Sequence, residues 1–542
     1  MRTIKQLQEK RIDWELDCHD RIYLNLYSPI LNSPPGVVTI IRRFLEWDIP
    51  HPMAFKSVRD DYVAMINCFA EENDLEIHQF TNKEQNSKEE IAKEHLKDFP
   101  WKEGVFFIGK AQEKVKAPRG SWGKSEYTEN GKWLKLGWGN VMANQYYIYF
   151  RDEDWGVGFI KFSSYAPFNG RFYINGHEYV KCQLTEQGIE FEELDNGIGR
   201  CADPSAAQKI ADSITANKLE KLVRKWIRIV PNPLNMMPHR RGNITLKYYI
   251  SMLQMEYART QLWKKASDGL AFFEQVIREN IDLGRPEKVG VIFNKRIMPS
   301  TRRNHRFMSR VFTYGAIPVF NIFYKSNKLK QYHKEGRALR SELTINHAPD
   351  FGAGKTLNTE NFNILREVGK QTINRLIRVE TLCQDPLVSA ERIGAIESAA
   401  EVAGRRVSPL PRSNNRVRAL FSALVACHLI SRGFRNRDLR VRVAHLLGKD
   451  PEEITTNQMT YDLRRLRGHG IVTKVEGTHR YEVTEEGLHL ALFISRVEQR
   501  VYREGLADIF DDEQFDTRTR KALLHFDKAV EMLMEKNLSL AR

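Results

Sequence analysis

Three helix patterns followed by two short strands occupy residues 416–487, the stretch that most constrains the fold of this 542-residue chain. Apolar residues recur at helical spacing in the first three segments, and the last two segments alternate apolar and polar residues. Glu476 and Gly477 supply a turn between the strands. The segments in order are helices over residues 416–434, 437–448 and 457–470 and strands over residues 472–475 and 481–483.

The third helix of this stretch is expected to have one apolar and one polar face. Met459, Leu463 and Leu466 fall at helical spacing and are predicted to point inward. Thr455 or Thr456 is a suitable N-cap, since a side-chain hydroxyl accepts from the first free backbone N–H groups. The outward residues are of the types that contact bases and phosphates, namely Thr456, Asn457, Gln458, Tyr461, Arg464, Arg465 and Arg467.

The helix–helix–helix–hairpin order and the segments TYDLRRLRGHGIV and GTHRYEVTEEGL resemble the winged-helix DNA-binding domain family. The resemblance is confined to residues 416–487. It implies that the third helix contacts DNA and that the hairpin forms a wing beside the phosphate backbone, with Lys474, His479 and Arg480 on that wing. The alternative is a winged helix that serves only protein–protein contact.

The charge around this stretch favours DNA as the partner. Between Arg405 and Leu447 there are ten Arg and no Lys, against one acid, Asp438. Arg offers a planar, bidentate donor to phosphate. The whole chain has 84 Lys and Arg against 69 Asp and Glu, a net charge of +15. That excess suits a polyanion, of which nucleic acid is the commonest and a membrane surface the weaker alternative.

Targeting signals and cysteine spacing indicate a cytoplasmic protein that does not enter a membrane. No apolar run is long enough to span a bilayer, and the first residues lack the apolar core of a signal peptide. The six cysteines are scattered with no CxxC pair, which predicts free thiols in a reducing compartment and no structural zinc site.

The remaining chain alternates between strand and helix patterns and is expected to hold more than one domain. The predicted fold class is an α/β or α+β N-terminal part with mixed sheets and helices, followed by a C-terminal winged helix-turn-helix domain. Residues 245–280 carry a long pattern that we interpret as helical. The predicted segments are a small α/β domain (1–125), an aromatic-rich β-hairpin region (126–204), a helical plus basic β-sheet region (205–404), a linker (405–415), the winged helix (416–487) and C-terminal helices (488–542).

A basic segment, KAQEKVKAPRGSWGK, follows the apolar strand pattern at residues 104–109. Ligands of open α/β sheets bind beyond the carboxyl ends of strands, so this segment is a candidate binding loop. The residues concerned are Lys110, Gln112, Glu113 and Lys114. The alternative is a solvated basic loop.

Two clusters have the residue types of a Mg²⁺-dependent catalytic site. Asp152 and Asp154 lie in a predicted hairpin turn and offer hard oxygen ligands to one Mg²⁺ ion, and His177 with Glu178 can add a base or a further ligand. The alternatives are an ordinary acidic turn and an acid at a helix N-terminus. Glu256 is a third carboxylate candidate. The alternative is a solvated helix residue with no role in the site.

Residues 295–346 combine cations with interleaved aromatic residues. Twelve Lys and Arg stand there against two Glu, Glu335 and Glu342. Cations follow a phosphate chain and aromatic faces stack on bases, so this region is a candidate second nucleic-acid surface. Its phosphate-neutralising candidates are Lys325, Lys330, Arg337 and Arg340. The alternative is a sheet core with the cations on its wet face.

Two further patterns leave alternatives open. The segment PDFGAGKT, residues 349–356, ends like a phosphate-binding Walker A loop, but Pro349 stands where the first glycine belongs, so nucleotide binding is not the favoured reading. In the tail, the apolar stripe Leu488, Leu492, Ile494, Val497 and Tyr502 either packs on its own domain or forms a homodimer.

These observations predict a nucleic-acid-binding protein that processes or remodels DNA in a mobile-element or replication context, with RNA as the alternative partner. If it is an enzyme, Mg²⁺-dependent phosphodiester chemistry at Asp152, Asp154 and Glu178 is expected. The alternative is a non-catalytic DNA-binding regulator or scaffold whose N-terminal part binds a partner.

Overall fold

The computed structural model describes residues 11–81, 87–124, 132–237, 246–280, 308–314, 317–383, 388–402 and 404–497. The chain divides into two compact units, Met1–Glu380 and Thr381–Arg542. The first unit combines helices with a large mixed sheet, which confirms the predicted mixture of α and β structure in the N-terminal part.

The strands of the first unit are β1 Ile12–Tyr27, β2 Ile77–Gln79, β3 Gly104–Lys124, β4 Lys132–Asp152, β5 Gly156–Ser163, β6 Gly170–Asn175, β7 Phe191–Leu194, β8 Gly197–Cys201, β9 Tyr249–Trp263, β10 Met308–Tyr314, β11 Ile317–Tyr324, β12 Asn327–Lys334 and β13 Ala338–Ile345. The helices are α1 Pro34–Arg43, α2 Lys56–Glu72, α3 Lys88–Lys97, α4 Gly176–Glu186, α5 Pro204–Asp212, α6 Ala216–Ile229, α7 Ala266–Asn280 and α8 Thr359–Cys383.

Eleven of these strands form one sheet in the order β10-β11-β12-β13-β9-β1-β6-β5-β4-β3-β2. Neighbouring strands are antiparallel except β2 and β3, which are parallel. Because β1 lies between β6 and β9, the predicted boundaries at residues 125 and 204 do not separate domains. Strands from all three predicted N-terminal segments contribute to the same sheet.

Successive side chains of β4 point to opposite faces of the sheet, and both faces are covered. On one face Trp226 of α6 stacks on Phe150, with ring centroids 4.0 Å apart. On the opposite face Tyr147 and Tyr149 belong to an apolar cluster that includes Ile91 of α3. The predicted hairpin whose turn carries Asp152 and Asp154 is confirmed as β4 and β5.

The predicted helix over residues 245–280 is wrong in its first half, where the chain forms strand β9. Most β9 residues are buried, because the strand is central in the sheet and covered on both faces. A strand buried on both faces loses the apolar–polar alternation that identifies strands, so its sequence pattern is easily mistaken for that of a helix. The helix α7 follows it at Ala266.

Strands β3 and β4 form a hairpin that is much longer than the flanking strands β2 and β5. The predicted basic loop after residue 109 is instead a continuation of β3, paired with β4 from Gly104↔Arg151 to Lys124↔Lys132. Strand β5 pairs with β4 only from Gln145 onward. Residues 112–124 and 132–144 therefore make a two-stranded extension, which we call the β3–β4 ribbon.

The second unit contains the predicted order of three helices, a hairpin and a further helix. Thr455 is the N-cap of the third helix and forms a capping box with Gln458, and Gly477 at φ +67° makes the hairpin turn. The elements are β14 Ala400–Val402, β15 Arg405–Val407, β16 Val472–Lys474 and β17 Tyr481–Val483, with helices α9 Ala390–Glu397, α10 Asn415–His428, α11 Asn436–Leu446, α12 Thr456–Gly468 and α13 Glu485–Val497.

The predicted linker at residues 405–415 is part of the packed second unit. Strand β15 pairs with β14, and Leu410 is completely buried. The hydroxyl of Tyr461 donates to Ser408 Oγ at 2.9 Å, and Arg465 donates to the carbonyl of Pro409. Apolar side chains and main-chain acceptors hold the segment against α12, although its Pro and Ser content is typical of linkers.

The apolar stripe of α13 packs within its own unit. Leu488, Leu492 and Ile494 are buried, and Ser495 approaches Ser422 of α10 at 3.2 Å. Tyr502, the last residue of the predicted stripe, lies outside the described residues. Within the described part of the chain, no helix has the length and apolar character needed to cross a bilayer.

Candidate metal centre

Three adjacent central strands of the first unit bring three carboxylates to one point. Asp20 lies on β1, Glu256 on β9 and Glu342 on β13, and β9 separates the other two strands. Strand pairing places Glu256 opposite Thr344, two residues beyond Glu342. A β-bulge between His19 and Ile22 directs the Asp20 side chain to the same place.

These three carboxylates are close enough to share one metal ion. An oxygen of each lies within 4.8 Å of an oxygen of the other two. Asp20 is 1% exposed, Glu256 7% and Glu342 3%. Three carboxylates buried from solvent require compensating positive charge or protonation.

Two cations compensate part of this charge. Arg340, which is completely buried, donates from Nη2 to Asp20 Oδ2 and from Nε to Glu342 Oε1, both at 2.8 Å. Lys330 donates to Glu342 Oε2 at 2.9 Å. Asp20 and Glu342 are thus bonded to the two cations, whereas Glu256 accepts from the Thr344 hydroxyl at 3.1 Å. With all three acids ionised, this group of five side chains has an excess of one negative charge.

Protonation of the Glu256 carboxyl removes this excess negative charge. Burial, together with the nearby Glu342 and Asp20 carboxylates, raises the pKa of Glu256 to about 8. Arg340 and Lys330 outweigh the effect of burial on Glu342 and hold the pKa of that carboxyl well below its usual range. The direction of this shift favours the protonated form of Glu256, the carboxyl that a further cation would neutralise.

His177 stands beside the cluster as a buried, neutral imidazole. It is 0% exposed, and its Nε2 lies 3.4 Å from Arg340 Nη1. Its Nδ1 lies 3.8 Å from Asp20 Oδ1 and has no hydrogen-bond partner among the described residues. Burial and the Arg340 charge hold the pKa of His177 well below its usual value. Since arginine only donates, Nε2 accepts, and the Nδ1–H group is directed at Asp20.

A cleft of about 1110 Å³ opens above the three carboxylates. Two acids on its walls are held in ion pairs, Asp350 with Lys325 and Asp195 with Lys93. The cleft is therefore an anionic floor surrounded by positive side chains, an arrangement suited to a metal ion and a phosphate group. The cations that line it are Arg21, Arg171, Lys325, Lys328, Lys330 and Lys334.

The predicted ligand Asp152 has a structural role at the end of β4. Its Oδ2 accepts from Trp226 Nε1 and Lys225 Nζ, each at 2.9 Å. Its Oδ1 accepts from the backbone N–H groups of Asp154 and Trp155. Asp152 is 1% exposed and joins the hairpin turn to α6, so its oxygens are already engaged.

The structure does not assemble Asp152, Asp154 and Glu178 into a ligand set. Asp154 is exposed on the turn, and Glu178 accepts from Lys181 at 2.9 Å. Of these predicted catalytic residues, only His177 touches the carboxylate cluster, where it contacts Asp20 and Arg340.

The basic residues predicted to bind phosphate differ in their surroundings. Lys330 lies in the cleft, and Lys325 pairs with Asp350 on its wall. Arg337 is exposed and pairs with Glu192. Arg340 cannot reach an external phosphate, because it is completely buried among the carboxylates.

Part of the polar face of α12 is open to solvent. Asn457, Thr460, Arg464 and Arg467 are exposed at helical spacing and form what we call the α12 stripe. Arg465 is directed at Pro409 and Asp462, which corrects its prediction as a DNA-contacting residue. The other predicted positions in this unit are exposed, namely Thr456, Gln458, Tyr461, Lys474 and His479, except Arg480, which is half-buried and bonded to the Gly433 carbonyl.

The GKT segment does not have the surroundings of a Walker A loop. Helix α8 begins at Thr359, after the segment, and the Lys355 carbonyl accepts from the backbone of Met252 at 2.7 Å. Asp350 is bound by Lys325 and Asn327. The segment therefore packs beside β9 rather than wrapping a phosphate site at a helix N-terminus.

The sequence predicted Glu256 as a carboxylate candidate but gave no indication of Asp20. The usable signal was charge inside buried strands, because Arg340 and Glu342 stand two residues apart in a strand buried along its whole length. Charged residues are rarely tolerated there unless they are paired or functional. Comparison with models of protein families, with curated proteins and with solved structures gave no match.

Proposed function

We propose that the protein is a metal-dependent enzyme that acts on nucleic-acid phosphodiester bonds, with Asp20, Glu256 and Glu342 as the metal ligands. The observation that supports this most strongly is the convergence of three buried carboxylates beneath a cation-lined cleft. Nucleic acid suits the positive walls and the net charge of +15.

Mg²⁺ is the ion that we propose, because carboxylate oxygens are the ligands it prefers. Such an ion supplies charge stabilisation at a phosphoryl oxygen and lowers the pKa of a bound water. The protein's own residues would do the rest. Lys330 and Arg340 hold Glu342 in place, and Arg340 and Asn196 hold Asp20.

We further propose that the second unit is a winged-helix DNA-binding domain that brings the enzyme to its target in the cytoplasm. The supporting features are the order of α10, α11, α12, β16 and β17 and the exposed α12 stripe. In this proposal Arg464 and Arg467 contact phosphates or base edges, and Lys474 and His479 lie along the backbone. RNA and a homodimer through the C-terminal helices remain secondary proposals.

The second candidate function is a non-catalytic DNA-binding regulator or scaffold. One observation favours it: Asp20 already accepts from Arg340 and Asn196, at 2.8 Å each, so that carboxylate is satisfied within the protein. In that case the carboxylate cluster is a structural network of buried charge.

The deciding experiment is a cleavage assay on end-labelled single-stranded and double-stranded DNA and RNA with Mg²⁺ or Mn²⁺. We expect metal-dependent cleavage that Glu256→Gln lowers by at least about 100-fold, the scale of an electrostatic catalytic group. Asp154→Asn, an exposed carboxylate outside the cluster, is the matched control and should keep full activity. Wild-type protein that neither binds the metal nor cleaves any substrate would favour the regulator.

A further inference from the structure

The β3–β4 ribbon extends well beyond the strands that flank it. Over residues 112–124 and 132–144, β3 and β4 pair with each other and with no third strand in the part of the chain that the structure describes. From Lys114 to Lys124 the extension is about 33 Å long at roughly 3.3 Å per residue. Part of this extension packs against the rest of the first unit, since Pro118 and Arg119 line one pocket together with His51.

The ribbon carries positive charge without acidic residues. Residues 114–124 and 132–144 contain six Lys and Arg and no Asp or Glu. The nearest acid on β3, Glu113, lies just before this stretch and is bound by Lys88 and Lys161. The six cations are Lys114, Lys116, Arg119, Lys124, Lys132 and Lys135.

One face of the ribbon is open to solvent near residues 114–116 and 140–142, whereas Pro118, the next residue on that face, is buried. Lys114 pairs with Met142 and Lys116 with Asn140, so these four side chains share a face. All four are exposed, and Met142 is 56% exposed. On the opposite face Ala117 is completely buried. The ribbon thus has one packed side and one side that combines cations, an amide and an apolar side chain.

We propose that this open face of the β3–β4 ribbon is an arm that binds double-stranded DNA, distinct from both the carboxylate centre and the α12 stripe. A two-stranded β-ribbon fits the major groove of B-DNA, which is about 12 Å wide. Lys114 and Lys116 pair with phosphates, and the Asn140 amide faces base edges. The deep, narrow major groove of A-form RNA does not admit such a ribbon.

Binding to a fluorescein-labelled 30-base-pair duplex tests the arm in the full-length protein, with EDTA present so that no metal-dependent reaction occurs. Anisotropy is measured over a range of KCl concentrations. All proteins carry Arg464→Ala and Arg467→Ala, which removes the α12 contribution. The test variant adds Lys114→Glu and Lys116→Glu, and the control adds Lys209→Glu and Lys221→Glu, two exposed helix lysines outside the ribbon.

We expect the ribbon variant to bind at least about tenfold more weakly and its salt slope to fall by roughly two units, one per lost phosphate contact. The helix-lysine control should lose much less. Lys114→Gln with Lys116→Gln should show the same direction with a smaller loss, and unchanged thermal unfolding would show that the fold is kept.

Three outcomes would overturn the arm. The first is equal affinity and equal salt slope in the ribbon and helix-lysine variants. The second is a loss seen only with single-stranded RNA and not with the duplex. The third is polyglutamate competing as well as unlabelled duplex, which would indicate an acidic protein partner. None of these results bears on metal-dependent cleavage, so the arm and the catalytic proposal can fail separately.

Discussion

Arg340 and Asp20 are 320 residues apart along the chain and are joined by a side-chain hydrogen bond of 2.8 Å, with both side chains excluded from solvent. The contact spans β9 and ties β13 to β1. Arg340 is therefore the main counter-ion of the carboxylate centre. Its removal leaves the buried Asp20 and Glu342 carboxylates without the cation that they share.

Replacing this arginine should therefore destabilise the first unit severely. We expect Arg340→Met to cost roughly 3–5 kcal/mol in the free energy of unfolding, the usual effect of removing one partner from a buried ion pair. Chemical denaturation of the full chain measures it. Arg337→Met, which breaks a surface pair with Glu192, should cost no more than about 1 kcal/mol. Equal effects of the two substitutions would contradict the buried role.

Metal binding should expel the proton held by Glu256. The pKa of Glu256 is raised to about 8, so at pH 7 the incoming ion must displace a proton. We expect Mn²⁺ to release close to one proton per ion and to bind up to about tenfold more tightly for each pH unit between pH 6 and 8. Calorimetry in two buffers of different ionisation enthalpy counts the protons. Release that persists in Glu256→Gln would disprove this assignment.

Asp152 should matter for stability rather than for catalysis. In Asp152→Ala the buried indole N–H of Trp226 loses its acceptor, which should cost roughly 2–3 kcal/mol. Asp154→Ala on the same turn should stay within about 0.5 kcal/mol, as expected for an exposed position. Urea unfolding compares the two. A larger loss for Asp154→Ala than for Asp152→Ala would show that the exposed carboxylate, and not the buried one, stabilises the turn.

A second buried acid, Glu380 of α8, should make stability depend on pH. It accepts from Gln331 at 3.0 Å, and burial raises its pKa to about 8. The folded protein keeps a proton that the unfolded chain releases above its ordinary pKa of 4.5, so this group lowers stability as pH rises from about 4.5 to 8.

Glu380→Gln should remove that dependence. Relative to wild type, the variant should gain about 1 kcal/mol for each pH unit across this window, close to the linkage value. Unfolding by guanidinium at pH 5, 6.5 and 8 measures it. Glu367→Gln, an exposed position on the same helix, should run parallel to wild type. Parallel curves for Glu380→Gln as well would show that Glu380 is ionised in the folded protein.

The α12 stripe and the packed side of α12 should respond differently to mutation. Arg464→Ala with Arg467→Ala should weaken duplex binding and lower the salt slope by roughly one unit per lost contact. Arg465→Ala should leave the slope unchanged and instead destabilise the second unit, because that side chain holds the Pro409 carbonyl. Filter binding and thermal unfolding give the two readouts. A lower slope for Arg465→Ala would show that its guanidinium reaches DNA.

The spacing of apolar residues predicted the elements that have one buried face and one exposed face. The apolar spacing at residues 457–470 predicted a helix that is observed as Thr456–Gly468, and the turn at Gly477 was identified from its sequence. The same reasoning failed at β9, because a strand covered on both faces has no alternation to read.

The centre was harder to predict because it depends on pairing between distant strands. Asp20 meets Glu256 only through the β1–β9 register, and its direction depends on a bulge at residues 19–22. Neither the register nor the bulge leaves a local mark in the sequence. Asp152, by contrast, had the expected residue type in a turn, but its oxygens are taken up by Trp226 and the turn itself.

The central place of β1 sets the order in which the first unit can be completed during synthesis. Strand β1 ends at Tyr27, whereas its neighbour β9 is finished only at Trp263. At about 5–20 residues per second, the ribosome needs roughly 10 to 50 s to deliver the second edge partner of β1. Throughout that interval one edge of the nascent strand stays unpaired, so chaperone capture or intermolecular pairing competes with folding at the very strand that carries Asp20.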